Sequence, residues 1–190
     1  YSTLTSDGRV FMWGNNGSGQ LGDGTNIYRN TPVDITTNFN LNVGETITEL
    51  SMGSSHTSAI TSEGRIFTWG NNSSGQLGDG TNIDRNTPVD ITTNFNLNVG
   101  ETITKSFMDN SQSAAITSEG RVFMWGNNSS GQLGDGSTND RNTPYNITSR
   151  LNLNVEETIL KISITSYTTA ALTSEGNIYT WGGVNYELLG

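Results

Sequence analysis

The stretch Trp13-Gly14-Asn15-Asn16-Gly17-Ser18-Gly19-Gln20-Leu21-Gly22-Asp23-Gly24 decides the fold, because it comes back. It recurs at residues 69–80 and again at 125–136, and a decayed fourth copy starts at Trp181. The four tryptophans of the chain, Trp13, Trp69, Trp125 and Trp181, are spaced 56 residues apart each time. A fixed period of this size marks stacked or circular repeats, in which each unit leans on its neighbours and the array forms one body.

Just before each tryptophan two short strand-like runs flank a Ser-Asp-Gly or Ser-Glu-Gly turn, at residues 6–8, 62–64, 118–120 and 174–176. This is a hairpin pattern, with glycine free to take the positive φ that the turn needs. After the Gly-Asn-rich loop, residues 31–36 read as a short strand with Pro32 near its start, which suits a sheet edge. Phe39, Leu41 and Val43 alternate with Asn40 and Asn42 and predict a small extended excursion. Residues 45–52 form a further strand anchored by Ile47 and Leu50, and residues 56–60 lead into the next hairpin. Helical periodicity is absent.

Four short strands per period are the pattern of a propeller blade. The fold class is all-β: a partial β-propeller of about three and a half four-stranded antiparallel blades with a 56-residue period. The period cuts the chain into a half-blade at 1–16 and blades near 17–72, 73–128 and 129–190. Closed propellers have roughly 4–8 blades. The chain is therefore expected to be a fragment of a longer propeller or one half of a ring completed by a second copy. It opens at Tyr1 in mid-strand pattern, which fits a boundary inside a longer chain, and residues 183–189 read as a cap.

The chain has 18 acidic and 9 basic residues among 190, a net charge of −9, and no cysteine. Clustered Lys and Arg are what nucleic-acid backbones and anionic membranes require, so neither is an expected partner. Thiol chemistry and cysteine-ligated metals are excluded. No 18-residue apolar run is present, so no helical membrane span is predicted. The cysteine-free composition leans toward a secreted or cell-surface bacterial protein.

The motif Trp-Gly-Asn-Asn-x-Ser-Gly-Gln-Leu-Gly, preceded by Ser62-Glu63-Gly64-Arg65-Ile66-Phe67-Thr68, resembles the repeat of the regulator of chromosome condensation family. The resemblance covers essentially the whole chain in three strong copies and one weak one. It implies a β-propeller, most often seven-bladed, acting mainly as an interaction platform. Members include a nucleotide-exchange factor for a small GTPase, ubiquitin-ligase domains, a plant light sensor and a secreted bacterial inhibitor of β-lactamase. This sequence departs from the pattern in its longer period, where residues 38–45 look like added material. It also keeps the family's Gly and His pair only once, at Gly53 and His56; Asp109 and Gln112, then Thr165 and Thr168, stand there in later copies. No segment resembles the exchange factor's inserted wedge.

The identical placement of the four tryptophans marks them as structural. From Trp13 to Ile47 against Trp69 to Ile103 only Gly17/Ser73 and Tyr28/Asp84 change, so this surface suits a repetitive partner at most. The copies diverge at Ser54-Ser55-His56, Asn110-Ser111-Gln112 and Ser166-Tyr167-Thr168, in the turn between the second and third strands of the period. Equivalent turns of a propeller gather on one face, and this face is the expected protein-binding site, with His56 and Tyr167 as anchors. The function expected is a protein-interaction scaffold and not an enzyme. The alternatives are a self-assembling ring or filament protein, and a hydrolase or lyase whose site forms only on assembly. No cofactor is expected; the oxygen-rich set Asp79, Asn82, Asp84 and its equivalents is a candidate for Ca²⁺, with ordinary turn chemistry as the alternative. Arg29, Arg85 and Arg141 with Glu63, Glu119 and Glu175 suggest exposed inter-blade ion pairs. Asn16, Asn72, Asn128 and Asn146 head glycosylation sequons.

Overall fold

A computed structural model describes residues 1–183; the expected cap lies, from residue 184 on, outside them. The strands form four antiparallel sheets side by side in chain order. The first holds β1 (Ser2–Leu4), β2 (Val10–Gly14) and β3 (Arg29–Asp34). The second holds β4 (Ile47–Met52), β5 (His56–Thr61), β6 (Ile66–Gly70) and β7 (Arg85–Asp90). The third holds β8 (Ile103–Met108), β9 (Gln112–Thr117), β10 (Val122–Gly126) and β11 (Arg141–Asn146), and the fourth β12 (Ile159–Ile164), β13 (Thr168–Thr173) and β14 (Ile178–Gly182). Strands β4, β8 and β12 pack against one another on the inner side. Pro32, Pro88 and Pro144 sit on the outer edge strands β3, β7 and β11, where a missing N–H leaves no sheet bond unmade.

The sheets are cut differently from the sequence period. β3 pairs with β2, Phe11 opposite Asp34 and Gly14 opposite Arg29, so the first sheet runs on past Asn16 to residue 34. The blades therefore occupy residues 47–90 and 103–146, not 17–72 and 73–128. The long loop after each tryptophan folds back within its blade, and residues 35–46 make the crossing to the next one.

That crossing is not an extended excursion. It contains a 3-10 turn at Thr36–Phe39, repeated at Thr92–Phe95 and Thr148–Arg150. The Asp34 Oδ1 accepts both the N–H and the O–H of Thr36, at 3.0 and 2.6 Å, and so starts the turn. Asn40, Asn96 and Asn152 then take φ of 46–47°, a left-handed conformation that asparagine tolerates. The turn points Phe39 inward, 1% exposed, edge-on to Phe67 at 5.4 Å and Trp69 at 5.5 Å. Alternation of apolar residues with asparagine mimics a strand; the local Asp-Thr hydrogen bonds override it.

The core lies in the joints between blades. Val10, Met12, Leu21, Ile35 and Phe39 of the first unit meet Ile47, Ala59, Phe67 and Trp69 of the second, and two equivalent clusters fill the next joints. An indole hydrogen bond crosses each joint. Trp69 Nε1 donates to the Gln20 carbonyl at 3.0 Å, Trp125 to Gln76 at 2.9 Å and Trp181 to Gln132 at 2.9 Å. The glycine two residues on must stay bare, since a Cβ on Gly22, Gly78 or Gly134 would lie 2.8 Å from the indole nitrogen. The Gly-Gln-Leu-Gly motif is thus the socket for the next blade's tryptophan.

Candidate functional site

The turns between β4 and β5, β8 and β9, and β12 and β13 form one continuous edge. They are first-to-second strand turns of their sheets, because the sheets start at β4, β8 and β12. A Cβ on Gly53 would meet the Asp109 carbonyl at 2.2 Å, so the first turn can back against the second only as glycine. Ser54 Oγ donates to Asn110 Oδ1 at 2.8 Å, and Asn110 Nδ2 donates to Ser166 Oγ at 2.7 Å. Equivalent positions of three successive blades are thereby tied into one ladder. Each turn is also pinned to the loop after the tryptophan: Asn71 N–H donates to the Ser55 carbonyl and Asn127 N–H to the Ser111 carbonyl, both at 2.9 Å.

The nine residues singled out in the sequence divide by exposure. Ser54, Asn110 and Tyr167 are exposed, while Ser55, Ser111, Ser166 and Thr168 are half-buried. His56 and Gln112 are 0% and 1% exposed and line the joints beneath the turns. As the first residues of β5 and β9, they point between sheets, which removes His56 as a surface anchor. Its Nε2 lies 2.9 Å from Ser113 Oγ, whose own proton goes to the Gln76 carbonyl at 2.7 Å. Ser113 can then only accept, so His56 is the neutral tautomer protonated at Nε2. Its Nδ1 makes no hydrogen bond among the described residues, and burial pushes its pKa down to about 4.

The loops after the tryptophans are hydrogen-bonded cages. Asn72 Nδ2 donates to the Asp79 carboxylate and to the carbonyls of Thr81 and Ile83, and its Oδ1 accepts from the Leu77 N–H. Asn16 and Asn128 repeat this. All three are buried, which takes them out of the sequon set; Asn146 is exposed. The Asp79 carboxylate accepts from Thr81 and Asn72 and pairs with Arg85 at 2.7 Å. Burial acts to raise its pKa, but the Thr81 and Arg85 bonds outweigh this and lower it. Asn82 Oδ1 accepts from Asn142 Nδ2 at 3.4 Å and Asp84 Oδ1 accepts from the Asn72 N–H at 2.7 Å, so protein donors meet the oxygens proposed for Ca²⁺.

The expected inter-blade ion pairs are different pairs. Arg29, Arg85 and Arg141 bind Asp23, Asp79 and Asp135 of their own loops, carboxylates at most 4% exposed. Glu63, Glu119 and Glu175 accept from Asn42, Asn98 and Asn154. Glu45, buried and not singled out in the sequence, takes Arg65 Nε at 2.9 Å and is held down to about 2 by that guanidinium. Glu101 does the same with Arg121.

The Regulator of chromosome condensation (RCC1) repeat matches this chain over residues 7–60, 63–105 and 119–172. The chain is 31% identical over 190 residues to mouse E3 ubiquitin-protein ligase HERC2, covering 100% of this chain and 4% of that protein. It is 31% identical over 188 residues to the Arabidopsis thaliana ultraviolet-B receptor UVR8, covering 98% of this chain and 40% of that protein. Human WBSCR16 superposes with a TM-score of 0.77 at 23% identity, over 95% of this chain and 44% of that one. Prp20p of Saccharomyces cerevisiae gives 0.75 at 23% identity, over 97% and 43%. The chain thus spans less than half the length of these relatives, and the solved structures share its propeller fold.

Proposed function

The chain belongs to the Regulator of chromosome condensation (RCC1) repeat family, and from that premise we propose that it is a protein-interaction scaffold whose specific partner docks on the turn face. The observation that carries this is the Ser54–Asn110–Ser166 ladder. It fixes three turns as one rigid edge at the positions where otherwise near-identical repeats differ. Rigid backbone with individual side chains is what a specific protein partner needs. Ser54, Ser55, Asn110, Ser111, Ser166, Tyr167 and Thr168 form the contact set, with Tyr167, 56% exposed, as its aromatic anchor. A cleft of about 180 Å³ beside Ser54, between Asn15, Gln20 and Thr57, extends the face over the first joint. Prp20p, a structural neighbour, was characterised with its binding to Gsp1p and histones, which supports a partner-binding role for this fold. The ligase activity named for HERC2 belongs to a protein of which this chain matches 4%. Site-specific photo-crosslinkers at Ser54 and Asn110 should capture a partner that one at Val99, on a different loop, does not. Equal capture at all three overturns the assignment.

A second reading, closure by another copy, rests on the two outer sheets. Trp13, half-buried, has no carbonyl acceptor among the described residues, unlike its three counterparts. At the other end Leu172 and Ile178 are 39% and 71% exposed, where the equivalent Ile60 and Ile66 are 3% and 0%. The two faces are the two halves of a joint already built three times. Light scattering should give a mass near twice 20.5 kDa if a second copy fills them; a monomer removes this reading and leaves the first intact.

A further inference from the structure

The three joints are built from equivalent residues, and the third departs from the other two at adjacent positions. Asn38 Nδ2 donates to the Gly22 carbonyl and Asn94 Nδ2 to the Gly78 carbonyl, each at 2.8 Å. Arg150 stands at that place in the third joint, so Gly134 receives no such amide. Phe39 and Phe95 are each 1% exposed and meet Trp69 and Trp125 edge-on at 5.5 Å. Leu151 replaces that ring in the third joint. The space the ring fills elsewhere is a cleft of about 150 Å³, lined by Gly134, Ile147, Leu151, Tyr179, Trp181 and Arg150.

Arg150 is unlike the other arginines. Arg9, Arg29, Arg65, Arg85, Arg121 and Arg141 all bind carboxylates. Arg150 has no carboxylate partner among the described residues and lies at the rim of the cleft, over Gly136. A guanidinium that meets no carboxylate among the described residues can hold a planar anion with two parallel N–H donors. The cleft behind it offers aromatic and aliphatic walls, and a cavity of roughly this size holds a benzene ring.

We propose that this cleft is a binding site for a small aryl carboxylate. The phenyl ring takes the place that Phe39 and Phe95 occupy in the sister joints, against Trp181 and Tyr179, and the carboxylate pairs with Arg150. The site is in a joint and is independent of the turn face. A ligand of this size with modest atom efficiency should bind with a Kd of roughly 0.1–5 mM.

The test is an amide and indole NMR titration of the whole chain with 3-phenylpropionate, beside 3-phenylpropanol and propionate. Saturable shifts of the Trp181 indole and the Leu151 amide are expected with the first, about five- to tenfold weaker binding with the neutral alcohol, and none with propionate. Leu151→Phe restores the residue used in the other two joints and should abolish the saturation while leaving the Trp125 indole resonance in place. Arg150→Asn should keep binding of the alcohol and erase the preference for the acid. Absence of saturation at Trp181, or unchanged saturation in Leu151→Phe, overturns the proposal. Should Leu151→Phe fail to fold, Arg150→Asn decides: an unchanged preference for the acid rejects the site.

Discussion

Trp125 Nε1 donates to the backbone carbonyl of Gln76 across the joint between two blades, at 2.9 Å, and Ser113 Oγ donates to the same oxygen at 2.7 Å. Because the acceptor is a carbonyl, the identity of residue 76 is free as far as this bond goes, while the tryptophan is not. Trp125→Phe keeps most of the buried ring and loses the donor, and should destabilise the chain by about 1–2 kcal/mol. Trp125→Ala adds a cavity and should cost about 3–5 kcal/mol. Trp13→Ala, at the half-buried outer face, should cost less than half of that. Denaturant midpoints of the three variants at equal m-value check the order.

Glycines of the repeat separate backbone strain from close approach. Gly100 has φ +83° and nothing within 4 Å of an added Cβ, whereas Gly78 has φ +74° and Trp125 Nε1 at 2.8 Å. Gly100→Ala should cost only the left-handed strain, about 1–2 kcal/mol. Gly78→Ala adds overpacking of roughly 1–3 kcal/mol. Thermal melts showing equal losses would mean that the tryptophan socket is slack.

The repeat period, the hairpins and the edge prolines were legible, because each leaves a local trace: a spacing, a turn glycine, a missing donor. The blade cut was not, since the sequence repeats equally well from any starting residue and only the pairing of β2 with β3 fixes it. His56 reads as a turn or strand-start residue and does start β5; its burial was not legible, because Ser113 and Gln76 lie 57 and 20 residues further along the chain. The Arg150–Leu151 cleft had a signal that could have been read, namely the two adjacent departures from Asn38-Phe39 and Asn94-Phe95.

The Asn72 cage predicts an isosteric effect. Its Nδ2 lies 3.1 Å from the Asp79 carboxylate, so Asn72→Asp replaces a donor with a like charge at the same spot. It should destabilise more than Asn72→Ala at pH 7, by about 1 kcal/mol or more, since like buried carboxylates repel where an alanine merely leaves acceptors unmet. The gap should close when the pH falls enough to protonate the new carboxyl. Urea midpoints at pH 7 and pH 4 read both effects.

Acid sensitivity should come in two windows. The buried imidazole of His56 has its pKa depressed from 6.5 to about 4, so protonation is disfavoured in the folded chain. Its contribution is full above pH 6.5 and is lost as the pH falls from 6.5 toward 4, on the order of 3 kcal/mol at the lower end. Glu45 and Glu101 are depressed from 4.5 to about 2 by Arg65 and Arg121, so their contribution is full above pH 4.5 and disappears toward pH 2. His56→Gln installs the residue that Gln112 supplies in the next blade. It should flatten the dependence of Tm on pH between 6.5 and 4.5 and leave the steeper fall below 4.5 in place. A wild-type Tm that is already flat down to pH 4.5 would show that the bare Nδ1 of His56 finds a proton-tolerant environment and that the joint is not closed to water.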